Sequence, residues 1–213
     1  MPNPPIEGLY ALTPEGVDAG LLVDLVEAAL ADGLRLLQFR DKSSARDERL
    51  RRARRLLDAC ARFGATFIMN DDPALAAELG AHGVHLGRDD GSIEAARRVL
   101  GARAIIGASS YDDLDRALRL RAEGADYIAF GSFFASSVKP NAVRPGLDLL
   151  RRARARLDCP IVAIGGITLD NAPLVRAAGA DAVAVITDLF SAPDIGASVR
   201  DYGRLFTRAL TPG

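Results

Sequence analysis

Eight short apolar runs alternate with longer amphipathic stretches along the chain, and this alternation limits the possible folds more than any other feature. The runs are rich in Val, Ile and Leu and too short for buried helices, so they predict strands. Their near-continuous apolarity is typical of parallel strands covered on both faces. The predicted strands are Gly8–Leu12, Leu34–Phe39, Thr66–Met69, Gly83–Leu86, Ala104–Ala108, Tyr127–Phe130, Ile161–Ile164 and Ala182–Ile186.

The intervening stretches predict a helix after each strand, because apolar residues recur at helical spacing and many stretches end at a glycine. Eight strand–helix pairs indicate an α/β fold, a (β/α)8 TIM barrel, and 213 residues lie near its lower length limit. We expect a single domain over residues 1–213 with short flexible termini. The alternative, an open doubly wound sheet, usually needs fewer strands, and no GxGxxG follows the first strand. The predicted helices are Val17–Ala31, Arg46–Phe63, Pro73–Leu79, Ser92–Leu100, Asp112–Glu123, Leu147–Leu157, Asp170–Ala178 and one within Pro193–Leu210.

Composition and charge exclude several classes of protein. The 27 Lys and Arg residues nearly balance 28 Asp and Glu residues, giving a net charge of −1, so no general attraction to nucleic acid or membranes is expected. Cys60 and Cys159 form no CxxC pair, which argues against a disulfide framework or a zinc knuckle. No uncharged apolar run approaches the roughly 20 residues that span a bilayer. We therefore expect a cytoplasmic protein without nucleic-acid or membrane partners, and the sequence leaves a homo-oligomer open.

Polar residues gather where the predicted strands end, which is the face of a (β/α)8 barrel that carries function. Gln38, Arg40 and Lys42 stand at the end of the second strand. Gln38 and Arg40 share one side, because residues two apart in a strand point the same way. Arg offers a planar fork and Lys a point charge for phosphate oxygens. The alternative for Arg40 or Lys42 is a surface ion pair with Asp41.

Carboxylates follow the next two strands. Asp71 comes after the third strand and Asp90 after the fourth, and neighbouring strands lie about 5 Å apart. Such carboxylates could share one Mg²⁺, which takes oxygen ligands and commonly keeps waters and substrate phosphates. The alternative is that Asp72 and Asp90 are helix N-caps. We expect that role for Asp72, and it does not prevent Asp71 from binding a metal.

The later strand ends supply small polar groups and glycines. Ser109 follows the fifth strand, where a hydroxyl can bind phosphate oxygen or cap the next helix. The longest predicted loop follows the sixth strand and contains Lys139; long loops at this face are often functional. Gly165-Gly166 and Ile186-Thr187 end the last two strands, where barrels of this kind recurrently bind phosphate.

Two further features are expected to be structural. His82 and His85 are three apart in or near a strand, so they face opposite sides and are poor joint ligands. The arginines from Arg49 to Arg55 are expected to form a solvated helix face, with their aliphatic stems packed on the barrel.

Together these motifs resemble the thiamine-phosphate synthase family, also called thiamine-phosphate pyrophosphorylase. The resemblance runs from Gly8 to Thr187. It implies a transferase of thiamine biosynthesis that joins a hydroxymethylpyrimidine diphosphate to a thiazole phosphate, or to its carboxylated form, with the aid of Mg²⁺. The products are thiamine phosphate and pyrophosphate, with CO2 from the carboxylated form. The motifs that carry the resemblance are Gln38–Lys42, Asn70–Asp72, Gly83–Gly87 with Asp90, Gly131–Lys139 and Ile164–Ile167.

The resemblance also implies a role for each matching residue. The residues implied for the pyrimidine diphosphate are Gln38, Phe39, Arg40, Asp41, Lys42, Asn70, Ser109 and Lys139. Those implied for the thiazole phosphate are Ser136, Ser137, Val138, Gly166, Ile186 and Thr187. Asp71 and Asp90 would hold Mg²⁺, and Arg40, Lys139 and Ser109 would be the catalytic residues around the departing diphosphate.

Two other functions share part of this pattern. A thiazole tautomerase has the same barrel and the same phosphate site after the last two strands, but it does not need a diphosphate-binding set. The presence of Arg40, Lys42, Asp71 and Asp90 argues against it. A non-catalytic barrel that senses thiamine phosphates would bind intact ligands without turnover.

Overall fold

The chain folds into a closed barrel of eight parallel strands, as predicted. The computed structural model describes residues 5–135 and 145–207. Each strand pairs in parallel with the next one along the chain, and the first pairs with the last to close the barrel. The strands are β1 (Gly8–Leu12), β2 (Leu36–Phe39), β3 (Thr66–Asn70), β4 (Gly83–Leu86), β5 (Ile105–Tyr111), β6 (Tyr127–Phe130), β7 (Ile161–Ile164) and β8 (Ala182–Val185).

Helices alternate with the strands and pack around the barrel. A short helix directly after β8 was not predicted, and it precedes the last helix. Within residues 5–135 and 145–207, no helix has both the length and the apolarity to cross a membrane. The helices are α1 (Ala19–Ala31), α2 (Arg46–Phe63), α3 (Pro73–Leu79), α4 (Ile93–Leu100), α5 (Leu114–Ala122), α6 (Asp148–Arg154), α7 (Ala172–Ala177), α8 (Thr187–Phe190) and α9 (Ile195–Thr207).

Two apolar layers hold the barrel together. The larger lies between strands and helices and includes Leu37 and Phe39. The smaller fills the barrel interior and includes Leu36. Because successive side chains of a strand point to opposite faces, Gln38 shares the interior side with Leu36. This alternation decides which residues at the end of β2 face the barrel mouth.

The structure differs from the prediction most clearly at β5. The predicted strand ended at Ala108, but β5 continues to Tyr111. Ser109 pairs with Ala129 and Tyr111 with Phe130 of β6, and the register shifts between the two pairs. The predicted boundary was wrong because it followed apolarity, whereas ladder pairing satisfies the backbone of polar residues equally well. Ser109 therefore lies on a strand rather than in a loop.

The helix starts settle the capping alternatives. Asp72 accepts a hydrogen bond from Leu75 N at 2.9 Å and caps α3, as predicted. Ser92, not Asp90, caps α4 by accepting from Ala95 N at 3.1 Å. Ser109 does not cap α5 either, because Asp113 accepts from Arg116 N at 2.8 Å. Asp90 and Ser109 are thus left at the mouth of the barrel.

Candidate active site

The carboxyl ends of the strands surround a cavity of about 560 Å³. We divide its rim into a charged half at the ends of β2 to β5 and a glycine half at the ends of β7 and β8. The charged half consists of Gln38, Arg40, Lys42, Asn70, Asp71, Asp90 and Ser109, and the glycine half of Gly165, Gly166, Ile186 and Thr187. Ser136, Ser137, Val138 and Lys139 lie outside the described residues.

Arg40 is held at the rim by the loop that follows β1. Thr13 Oγ1 accepts a hydrogen bond from Arg40 N at 2.8 Å and donates one to Arg40 O at 3.0 Å. The guanidinium pairs with Glu15 at 2.7 Å, and Glu15 also accepts from Lys42 N at 3.1 Å. The backbone and the side chain of Arg40 are therefore both fixed, and a cation lines the cavity.

Phe39 and Asp41 face the helices rather than the cavity, as the alternation along β2 requires. Phe39 stacks on Phe67 in the outer apolar layer, with ring centroids 6.3 Å apart. Asp41 accepts hydrogen bonds from Ser44 N at 3.0 Å and from Arg52 Nη1 at 2.8 Å. Their side chains therefore contact protein, and a role for them in substrate binding stays a prediction.

Arg52 corrects the expectation of a fully solvated arginine face on α2. Its side chain is only 11% exposed, and besides pairing with Asp41 it donates to Val17 O at 2.5 Å. Burial alone would raise the pKa of Asp41, but the hydrogen bonds from Ser44 and the charge of Arg52 hold it below its usual value. The helical pattern placed Arg52 on a polar face, yet that face meets the loops after β1 and β2.

Asp71 and Asp90 form a carboxylate pair at the ends of β3 and β4. Asp71 Oδ2 lies 2.7 Å from Lys42 Nζ, and Asp90 accepts a hydrogen bond from Gly87 N at 2.8 Å. Burial, followed by a hydrogen bond with Asp71, raises the pKa of Asp90. Asp71 also has a φ of 64°, a left-handed conformation that is uncommon outside glycine and is often found at functional sites.

This pair suits a hard divalent cation. Two neighbouring carboxylates resist joint ionisation, and a cation between them would remove that repulsion. No group of three His, Cys, Asp or Glu side chains within the described residues could hold a metal ion. Mg²⁺ needs no such group, because it binds through one or two carboxylates together with waters and substrate phosphates.

The floor of the cavity is a buried hydrogen-bonded network that the sequence did not reveal. Gln38 Nε2 lies 2.8 Å from the Tyr10 hydroxyl, which lies 2.8 Å from the Tyr127 hydroxyl. His85 Nδ1 lies 2.9 Å from Tyr127, and His85 Nε2 lies 2.9 Å from Ser109 Oγ. Burial lowers the pKa of His85 to about 4, against the opposing charge of Asp71, and raises the pKa of both tyrosines. All five groups are therefore neutral at physiological pH.

From the residues themselves, His85 was interpreted as a poor joint ligand with His82, and within the Gly83–Gly87 motif it received no role, so its place in the cavity was missed. The available clue was a polar residue within an otherwise apolar strand, the same pattern that Gln38 shows in β2.

The glycine half is shaped by close packing with the loop after β6. Gly165 and Gly166 have φ angles of 101° and 62°, where a side chain is strained. A Cβ on Gly165 would overlap Ser132, and one on Gly166 would overlap the Ala135 carbonyl oxygen. Asn171 Nδ2 donates to Gly166 O at 2.9 Å and holds the turn from the other side.

The last helices brace the same turn. Asp188, in α8, accepts hydrogen bonds from Leu169 N at 3.3 Å and from the Tyr202 hydroxyl at 2.7 Å. Tyr202 belongs to α9 and is fully buried. The backbone that follows the Gly165-Gly166 turn is therefore tied through Asp188 to α9, the last described helix.

Comparison with known proteins gives matches to one family over most of the chain. The family model for thiamine monophosphate synthase matches residues 9–189. Thiamine-phosphate synthase of Azoarcus sp. (strain BH72) is 53% identical over 201 residues, which cover 94% of this chain and 98% of that protein. Thiamine-phosphate synthase of Methylobacillus flagellatus is 53% identical over 203 residues, covering 95% and 97%.

Solved structures place the fold in the same group. Thiamine phosphate pyrophosphorylase from Pyrococcus furiosus superposes with a TM-score of 0.82 at 33% identity, covering 93% of this chain and 95% of that one. A 3-hexulose-6-phosphate synthase from Salmonella typhimurium, at 17% identity and a TM-score of 0.74, shares the fold alone. With a family match over most of its length and half of its residues identical to synthases, the chain belongs to the thiamine monophosphate synthase family.

Proposed function

We propose that this protein binds the diphosphate of a hydroxymethylpyrimidine diphosphate in the charged half of the cavity, with Mg²⁺, and a thiazole phosphate in the glycine half. Its family membership makes it an enzyme of thiamine phosphate synthesis that acts on small molecules. The single observation that carries the finer assignment is the division of one cavity into a cation–carboxylate half and a separate glycine turn.

The reaction needs one bond to break and one to form. The bond between the pyrimidine methylene carbon and the diphosphate oxygen breaks, and its electron pair leaves with pyrophosphate. The thiazole nitrogen supplies the electron pair for the new carbon–nitrogen bond. With the carboxylated thiazole phosphate, CO2 is also lost. No covalent enzyme nucleophile takes part in this sequence.

The charged half supplies the electrostatics of this step. Arg40 and Lys42 would donate to diphosphate oxygens, since each can exchange its present carboxylate partner, Glu15 or Asp71, for phosphate. Ser109 would add a hydroxyl donor, and Gln38 and Asn70 would orient the pyrimidine. Fixed donors around the departing group lower the barrier because they need no reorganisation during the reaction.

Asp71 and Asp90 would hold Mg²⁺ beside those cations. When bound, the ion supplies positive charge to the departing pyrophosphate. Support comes from the raised pKa of Asp90, which burial and its neighbour Asp71 cause, and from the all-oxygen chemistry of the pair.

The glycine half would bind the thiazole phosphate through backbone groups of Gly166, Ile186 and Thr187. The turn is closely packed against the loop after β6 and held by Asn171, which would limit its rearrangement when phosphate binds. Ser136, Ser137 and Val138 are proposed for the thiazole side, and Lys139 for the diphosphate, on the family resemblance. The cytoplasmic location stays a prediction; Cys60 and Cys159 are buried free thiols, which suits a reducing compartment.

The test combines purified protein with both substrates and Mg²⁺ and measures thiamine phosphate and pyrophosphate together. We expect equal amounts of the two products, and none after chelation of the metal. A matched reaction without the thiazole phosphate should release no thiamine phosphate. Binding of both substrates without product, under any divalent cation, would contradict the assignment and favour a sensor.

A further inference from the structure

The floor of the cavity contains one continuous chain of hydrogen bonds that links the two ends of the charged half. It runs from β2 through β1, β6 and β4 to β5, and each of its four links is 2.8 or 2.9 Å long. Its members in order are Gln38, Tyr10, Tyr127, His85 and Ser109.

Only one set of directions gives each tyrosine and histidine hydrogen an acceptor within the chain. The Gln38 amide donates to Tyr10, so the single hydroxyl hydrogen of Tyr10 has only the Tyr127 hydroxyl as an acceptor in the chain. Tyr127 then donates to His85 Nδ1, and the ring nitrogen left with a hydrogen, Nε2, donates to Ser109. A doubly protonated ring would leave one tyrosine hydrogen without an acceptor in the chain. Ser109 therefore accepts from the chain and keeps its own hydrogen for the cavity.

The barrel interior is built to admit this chain. A Cβ at Gly107 would overlap the phenol ring and the hydroxyl of Tyr127, so β5 leaves space for that side chain. Tyr10 and Tyr127 meet edge to face with centroids 6.0 Å apart, and the His85 ring stacks on Tyr127 at 5.5 Å. Tyr10 and Tyr127 are at most 1% exposed. Each ring is therefore held in position by packing as well as by hydrogen bonds.

We propose that this chain fixes Ser109 as a hydrogen-bond donor to an anionic oxygen, and that Tyr127 and Tyr10 are positioning residues that act through Ser109. The inference rests on the proposed function, because it describes how the same site holds a diphosphate. With the reverse polarity, Ser109 would donate to His85 and present only lone pairs to the anion. That polarity requires the Gln38 amide to turn, so Gln38 and Ser109 are coupled across the mouth.

A double-mutant cycle tests this coupling by titrating pyrophosphate with Mg²⁺ into the protein and measuring Kd by calorimetry. Ser109→Ala should weaken binding roughly 10- to 100-fold, as loss of a hydrogen bond to a charged group does. Tyr127→Phe removes only the hydroxyl and should weaken binding roughly 3- to 10-fold. In the Ser109→Ala background, Tyr127→Phe should change Kd by less than about twofold, because Tyr127 acts on the ligand only through the Ser109 hydroxyl.

The matched control is Tyr202→Phe, the same change at a buried tyrosine outside the chain. It should change the Kd for pyrophosphate by the same small factor whether residue 109 is Ser or Ala. The proposal would be overturned if Tyr127→Phe weakened pyrophosphate binding equally in the wild-type and Ser109→Ala backgrounds. It would also be overturned if the wild-type protein bound no pyrophosphate. If Tyr127→Phe does not fold, as judged by its melting curve, Tyr10→Phe enters the same cycle and must show the same loss of effect.

The double-mutant cycle and the product assay can refute the two proposals independently of each other. Coupling without thiamine phosphate formation supports the chain and contradicts the proposed function. Product formation without coupling leaves the proposed function intact and overturns the role of the chain.

Discussion

The two halves of the barrel mouth place their binding groups by different means. The charged half presents side chains from the strand ends and the residues that follow them, and several are held by named partners, such as Thr13 and Glu15 for Arg40. The glycine half presents a turn whose shape comes from close contact with the loop after β6. The charged half can therefore be recognised from charged residues in the sequence, whereas the glycine half can be recognised only from backbone geometry. The comparison also predicts that the two halves respond to different substitutions.

The largest expected effect comes from breaking the charged half at its carboxylates. Asp71→Asn combined with Asp90→Asn should lower kcat/KM by at least about 10³-fold, because the variant would lose the carboxylates that hold Mg²⁺ and with them the positive charge that stabilises the departing pyrophosphate. The measurement is thiamine phosphate formation at saturating Mg²⁺, with a melting curve to confirm folding.

Asp72→Asn is the matched control for that pair. Asp72 is the neighbour of Asp71 but caps α3, and Asn caps a helix about as well as Asp, so activity should stay within about twofold of wild type. Unchanged activity in the double variant would remove the metal assignment.

A smaller effect is expected from breaking the glycine half. Gly166→Ala must accept a φ of 62° and displace the Ala135 carbonyl. The unfolding free energy should fall by about 1–3 kcal/mol. KM for the thiazole phosphate should rise while the Mg²⁺ dependence of the reaction is kept.

Gly146→Ala is the control for this substitution, since a Cβ there meets nothing within 4 Å. Steady-state kinetics with each substrate varied in turn would separate the halves. An increase in KM for the pyrimidine diphosphate alone would contradict the division.

The smallest effect concerns stability without metal. Burial and the neighbouring Asp71 raise the pKa of Asp90. The folded protein therefore binds this proton more tightly than the unfolded chain, and the stabilisation is lost as pH rises through the folded-state pKa. Asp90→Asn should raise the metal-free melting temperature at neutral pH, and this gain should vanish below the ordinary carboxyl pKa. A melting temperature of Asp90→Asn below that of wild type at neutral pH would contradict repulsion between Asp71 and Asp90.

Most of the fold could be predicted because a parallel barrel repeats one pattern. Each predicted strand overlaps an observed one, since apolarity on both faces is required of buried parallel strands. The prediction failed where pairing overrode apolarity, as at Ser109 in β5. It also missed α8, because four residues are too few to show a helical period.

The candidate site could be predicted only where a residue carries its own chemistry. Arg40, Lys42 and Asp71 were found from charge at strand ends, and they line the cavity. The sequence gives no comparable indication of which residue a side chain will contact. Asp41 pairs with Arg52 of α2, and His85 is hydrogen-bonded to Tyr127 of β6. These contacts join residues distant in sequence, so they follow from the closed barrel and not from local pattern.

The central claim is that one cavity holds two phosphate groups in separate halves, one with Mg²⁺ and one without. Calorimetric titration of pyrophosphate tests it directly, with and without Mg²⁺, and with and without saturating thiazole phosphate. The account predicts that pyrophosphate binding requires Mg²⁺ and is not weakened by the thiazole phosphate. Displacement of one ligand by the other, or binding that is indifferent to Mg²⁺, would contradict it.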